Sequence, residues 1–140
     1  MALKPNLSAV TVFGILAVAV GFLFVDWIPP QALTHTHMHT MKRRILRYAS
    51  AHEALPISLD QLPRIEGKSN DVTDGWGRPI LWRSKGDEVT LVSYGRDGVL
   101  GGTGEDEDMM GVFSTKASDG RWSDELCEWL VDPYGRANIK

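Results

Sequence analysis

Residues 7–25 carry no charged side chain, and apart from two hydroxyls and two glycines every one of them is apolar. As a helix rising ~1.5 Å per residue this run reaches about 28 Å, close to the hydrocarbon thickness of a bilayer, and Trp27 falls where an interfacial aromatic would anchor it. The run reads as a single-pass transmembrane helix. Lys4 and the free amine flank it on one side and Asp26 is the first charge on the other, so the positive-inside tendency places Met1 in the cytoplasm and the rest of the chain outside. Ala17-Val18-Ala19 has the small-x-small form of a signal-peptide cleavage site. The apolar run nevertheless continues through Phe22, Leu23, Phe24 and Val25, and an uncleaved anchor over residues 1–28 is the preferred reading.

All 15 basic and 18 acidic residues lie outside this run. What remains is roughly 110 residues, enough for one small core and too few for two independent domains. The single Cys127 excludes an intramolecular disulfide and an all-cysteine zinc site. Ten acids stand between Asp97 and Asp132 against only Lys116 and Arg121, a poor surface for nucleic acid. Ser58 and Ser93 have no paired base within a recognisable motif, and there is no nucleophile elbow, phosphate loop or Cys/His pair. Neither catalysis nor a small-molecule substrate is expected.

Pro29-Pro30 separates the anchor from a second helix expected to start near Thr34 and end before Pro56. Its apolar positions Met38, Met41, Ile45, Tyr48 and Leu55 recur at helical spacing, with Ala49 and Ala51 as small fillers and Lys42, Arg43, Arg44 and Arg47 making a basic face. Ser58-Leu59-Asp60-Gln61 has the form of a capping box and predicts a short helical turn. After a turn-rich stretch, Asp74-Gly75-Trp76-Gly77-Arg78-Pro79 bends the chain around one aromatic. Ile80-Leu81-Trp82-Arg83 and Val89-Thr90-Leu91-Val92-Ser93-Tyr94 then predict a β-hairpin. Residues 95–111 hold six glycines and five acids, which excludes ordinary helix or strand. Met109 to Phe113 predicts a third strand. Ser123 is placed to cap a short helix with Asp124 and Glu125 in its first turn and Leu126, Trp129 and Leu130 on one face, and Cys127 reads as core. The fold class is α+β: a transmembrane helix, an amphipathic helix on a small antiparallel sheet, and a Gly/Asp-rich loop. The expected units are residues 1–28, 29–113 and 114–140.

The loop is where chemistry is expected. Glu105, Asp106, Glu107 and Asp108 are consecutive, and neighbouring carboxylates about 6 Å apart repel by ~0.7 kcal/mol per pair even in water. A hard cation removes that repulsion. Calcium takes six to eight oxygens in flexible geometry, and glycines let backbone carbonyls turn inward, so Ca2+ fits better than magnesium, which retains more water. The pattern is not that of an EF-hand, and the single nonapeptide-like stretch from Gly101 cannot stack into a β-roll. A solvated acidic loop is the simpler alternative.

Residues from about Met38 to Phe113 resemble the globular domain of the major pseudopilin of type II secretion, protein G. The resemblance is carried by Met41-Lys42-Arg43-Arg44-Ile45-Leu46-Arg47-Tyr48 with Leu55-Pro56, by Asp74-Gly75-Trp76-Gly77-Arg78-Pro79, and by Leu91-Val92-Ser93-Tyr94-Gly95-Arg96-Asp97-Gly98. Gly101-Gly102-Thr103-Gly104 running into Asp106-Glu107-Asp108-Met109 completes it. It implies a long helix packed on a small antiparallel sheet, and a calcium ion in the loop after the second strand. The implied side-chain ligands are Asp97 and Asp108 with Glu105 or Asp106, and the implied carbonyl ligands lie near Tyr94 and Thr103. It also implies a non-enzymatic role in protein secretion or a pilus-like assembly at the bacterial inner membrane, with the domain in the periplasm and with envelope or secretion-system proteins, or further copies of the chain, as partners. Lys4-Pro5-Asn6-Leu7 runs straight into the uncharged segment, with no Gly-Phe step before Val10 and no glutamate before Glu53, so no prepilin cleavage site is recognised. The alternative role is an envelope adaptor that binds another protein through the basic helix face or the acidic tail.

Three further patterns are weighed on their residues. His35 and His39 share a helix face and can hold a soft or borderline metal, but no third ligand is apparent, and a polar linker is the plainer reading of Thr34-His35-Thr36-His37-Met38-His39-Thr40. His52-Glu53 lacks the second histidine of a zinc-protease helix. Trp76 and Trp82 are read as core rather than as a binding platform.

Overall fold

The computed structural model describes residues 27–123 and 128–136. The expected anchor over residues 7–25 lies outside them, and among the described residues no helix is long and apolar enough to cross a membrane. Helix α1 spans Pro30–His52. It begins four residues ahead of Thr34 because Pro30 occupies the first turn, where its fixed φ suits the helix and its missing N–H is not needed. It ends at Glu53, which caps it in the left-handed conformation at φ 53°.

The buried stripe of α1 is Met38, Met41, Ile45, Leu46 and Ala49. The expected basic face is only half present. Arg43 and Arg47 are exposed, whereas Lys42 and Arg44 are buried. The Lys42 ammonium lies 4.7 Å from the Trp129 ring and 5.7 Å from that of Phe113, a cation–π placement that lets a charge sit inside an apolar layer. The Arg44 guanidinium donates to the carbonyls of Pro63, Asn70 and Leu62. It thereby ties α1 to the irregular chain that follows. That chain contains the expected helical turn, a 3-10 turn at Leu59–Gln61 with both halves of its capping box formed.

Four strands make one antiparallel sheet in the order β1-β2-β3-β4: Leu81–Lys85, Glu88–Ser93, Met109–Ser114 and Trp129–Val131. The hairpin is tighter than the expected five-residue connection. Lys85 pairs with Glu88, leaving Gly86-Asp87 as a two-residue turn with Gly86 at φ 61°, the position a primed turn reserves for glycine. Val89 and Leu91 of β2 and Met109 and Phe113 of β3 face α1 and close one core with Leu62, Ile80 and Trp129. Trp82 packs against its edge.

The helix expected after Ser123 falls largely on residues 124–127, Cys127 included, which lie outside the described residues. Beyond them the expectation is corrected: Trp129 and Leu130 are on strand β4, paired to β3 through Val112↔Val131 and Phe113↔Trp129 with an irregularity between. The unpaired edge of β3 offers this segment backbone partners, and Gly111 leaves room for the Trp129 ring. A Cβ at Gly111 would lie 2.6 Å from that ring.

Candidate functional site

Two motifs on either side of β1 and β2 hold the loop in place. In the first, Asp74 is buried and accepts backbone N–H groups from Trp76 at 3.0 Å and Arg78 at 2.8 Å through Oδ1. Its Oδ2 accepts the Ser93 hydroxyl at 2.8 Å. Asp74 thus closes its own turn and fixes the end of β2 where the loop departs. The same turn meets α1 at Gly75, whose N–H donates to Thr34 Oγ1 at 2.8 Å and whose missing side chain is required by the Pro30 carbonyl. Arg78, presented by this turn, donates to the Gly95 carbonyl at 3.2 Å and lies across Gly98.

In the second motif the loop between β2 and β3 folds on itself. The Arg96 N–H donates to the Glu105 carbonyl at 2.8 Å, and a 3-10 turn at Gly104–Asp106 reverses the chain. Gly95 at φ 61° and Gly102 at φ 87° are needed twice over. Their backbone is left-handed, and a Cβ on either would lie within 2.7 Å and 2.4 Å of Asp106 backbone atoms. The glycines therefore bring two strands of loop into direct backbone contact.

The expected ligand residues divide into two groups. Glu105 and Asp106 turn toward Arg96, whose fork donates to Asp106 Oδ1 and Oδ2 at 2.9 and 3.0 Å and to Glu105 Oε2 at 2.8 Å. Hydrogen bonding to Asp106 is the largest cause raising the Arg96 pKa above its usual range. Asp97 and Asp108 are not in this network. Asp97 accepts the Val99 N–H at 3.0 Å, and Asp108 Oδ2 accepts the Gly101 N–H at 3.0 Å. Asp108 Oδ1 is buried with no hydrogen-bond partner. A carboxylate oxygen in that position is costly unless a cation or donor meets it.

Among the described residues no three His, Cys, Asp or Glu side chains converge on a point. A cation here would rest on Asp108 and on carbonyls of the glycine-rich backbone, including those near Tyr94 and Thr103, and calcium accepts such a donor set. The Tyr94 carbonyl already receives the Gly98 N–H, and the Thr103 carbonyl that of Asp106. Each retains a second lone pair. The sequence reading missed the two arginines that grip the loop. Their signal was present in the Gly-Arg-Pro and Gly-Arg-Asp steps, since a basic residue next to a loop of acids has obvious partners.

Residues 34–112, from the first turns of α1 into β3, match the family model described as type II secretion system (T2SS), protein G. Comparison with curated proteins and with solved structures gives no match.

Proposed function

The chain belongs to the type II secretion system protein G family, and on that premise we propose that it is a non-catalytic, membrane-anchored subunit of a secretion assembly whose periplasmic domain is stabilised by calcium. The family match supports the secretion role. The uncharged run at residues 7–25 supports the anchor. For calcium the supporting observation is the buried, partnerless Oδ1 of Asp108 inside a glycine-rich loop, with Asp97 as a second side-chain ligand and Glu105 or Asp106 as a further one, which would exchange Arg96 for the ion. The metal's work is structural: an ion that binds only the folded loop stabilises it by about 2.7 kcal/mol at a hundredfold excess over Kd.

The experiment is a thermal melt of the full chain in detergent with EDTA and with added calcium. The melting temperature is expected to rise with calcium and fall on chelation. An identical melt in both buffers would overturn the metal assignment, and unchanged protein export after in-frame deletion of the gene would overturn the secretion role. Of the basic face that the adaptor alternative invokes, Lys42 and Arg44 are buried while Arg43 and Arg47 are exposed, and its other surface is the acidic tail.

A further inference from the structure

The histidine pattern at the start of α1 is not a linker. His35, His37 and His39 all lie on the helix, and His37 leaves the group by turning inward, with Nδ1 2.6 Å from the Thr73 carbonyl. His35 and His39, one turn apart, bring their Nε2 atoms to 3.2 Å while their ring centres stay 4.4 Å apart. The two rings thus hydrogen-bond to each other through Nε2, one donating and the other accepting according to tautomer. Two imidazole nitrogens on a tetrahedral zinc ion with bonds of ~2.0–2.1 Å are about 3.3 Å apart, so the nitrogens already stand at that separation, and the ring centres would open by about 0.8 Å to aim both at one ion.

The pair is framed by the segment that follows β3. The Tyr134 ring stacks on His35 at 4.9 Å and 18°, and the Trp129 ring meets His39 edge-on at 5.2 Å and 82°. The Trp129 N–H lies 3.3 Å from Nδ1 and 3.1 Å from Nε2 of His39. Near-equal distances with perpendicular rings mean the N–H points at the face of the imidazole. The Nε2 of His39 is engaged by His35, and a metal ion would take the place of that hydrogen bond. Trp129 and Tyr134 both lie beyond the family match at residues 34–112, so the frame belongs to this chain's own extension. Partial burial lowers the pKa of both histidines, that of His39 to about 4 with His35 and Lys42 contributing, and Asp132 partly opposes the shift at His35. Both shifts favour the uncharged imidazole, the form that coordinates metal.

We propose that His35 and His39 form a two-imidazole chelate for a borderline divalent metal, Zn2+, Ni2+ or Cu2+, at the junction of α1 with the C-terminal extension. Imidazole pairs select these ions over the hard calcium of the loop. No third His, Cys, Asp or Glu joins them among the described residues, so water fills the remaining positions. Binding holds the two rings in the orientation on which Trp129 and Tyr134 pack, and it ties the extension to α1.

The test uses the tag-free full chain in detergent with calcium in excess, so that the acidic loop is saturated. Titration with zinc chloride by calorimetry is expected to show one equivalent of saturable binding. Replacing either ligand, H35Q or H39Q, should weaken it by about tenfold or more, since even residues behind a metal's ligands are commonly worth that much. H52Q, at the other end of α1, should leave it unchanged. Bound Cu2+ should give an electron paramagnetic resonance spectrum with superhyperfine splitting from two nitrogens. Absence of saturable binding, full affinity in the H35Q/H39Q double variant, or a copper spectrum without two nitrogen couplings would each overturn the site. If the variants fail to fold, the copper spectrum of the unaltered chain decides alone.

Discussion

Asp108 immediately precedes β3 and Gly111 is its third residue, and each is set by what surrounds it. The buried Oδ1 of Asp108 has no donor, so its charge is a cost that the proposed calcium ion would offset by taking it as a ligand. Asp108→Asn therefore separates the cost from the proposed ligation. Its melting temperature in EDTA should equal or exceed that of the parent chain, while the rise on adding calcium should disappear. A variant that melts lower in EDTA yet still responds to calcium would show that the carboxylate serves only the loop's backbone. Gly111 lacks the Cβ that would press against Trp129 at 2.6 Å. Gly111→Ala should cost about 1–3 kcal/mol through overpacking, read as a lower denaturant midpoint. Adding Trp129→Leu should cost less than the sum of the two single changes, because the clash is shared. Strict additivity would place the Trp129 ring elsewhere.

At the scale of elements, α1 is stabilised unevenly along its length. Its start is secured by Pro30, by the contact of Gly75 with the Pro30 carbonyl, and by Thr34 between them. Its end relies on Glu53, an exposed non-glycine residue in the left-handed region. That conformation costs an L-residue roughly 1–2 kcal/mol, and glycine is free of it. Glu53→Gly should therefore stabilise the domain by up to about 1 kcal/mol in equilibrium unfolding, some of the gain being offset by greater freedom of the unfolded chain. A destabilised variant would mean that the Glu53 side chain has a contact in solution that outweighs the strain. The loop is an element in the same sense: Arg78 and Arg96 pin its path, and of the expected ligand acids Asp97 and Asp108 are left outside their grip.

For the molecule as a whole, one layer of helix covers one face of a four-stranded sheet, and the fourth strand comes from outside the segment that matches the family. Trp129 is 7% exposed and belongs to the single core. Loss of a buried Trp side chain costs about 3–5 kcal/mol, a large part of the net stability of a domain this size. A chain ending at Ser123 should consequently melt well below the full-length protein, and Trp129→Ala should account for most of the difference. Equal melting temperatures would make β4 an appendage instead of a structural strand.

Much of this architecture was legible before any coordinates. The alternation of Val89, Leu91 and Ser93, the 3.6-residue recurrence of Met38, Met41 and Ile45, the capping box at Ser58 and the glycines of the loop each express a local rule: a periodicity, a cap or a permitted φ. What the sequence could not settle depends on partners distant along the chain. Lys42 and Arg44 read as solvent-facing until Trp129, Phe113 and the carbonyls of Pro63, Asn70 and Leu62 close around them. Trp129 read as helical until the free edge of β3 and the gap at Gly111 offered it a strand. Glu105 and Asp106 read as alternative further ligands beside Asp97 and Asp108, and the 3-10 turn aims both at Arg96. Local conformation follows from nearest neighbours in sequence. Which charge is buried and which acid is left unpaired follow from packing, and packing is decided only when the helix, the sheet and the returning strand are assembled together.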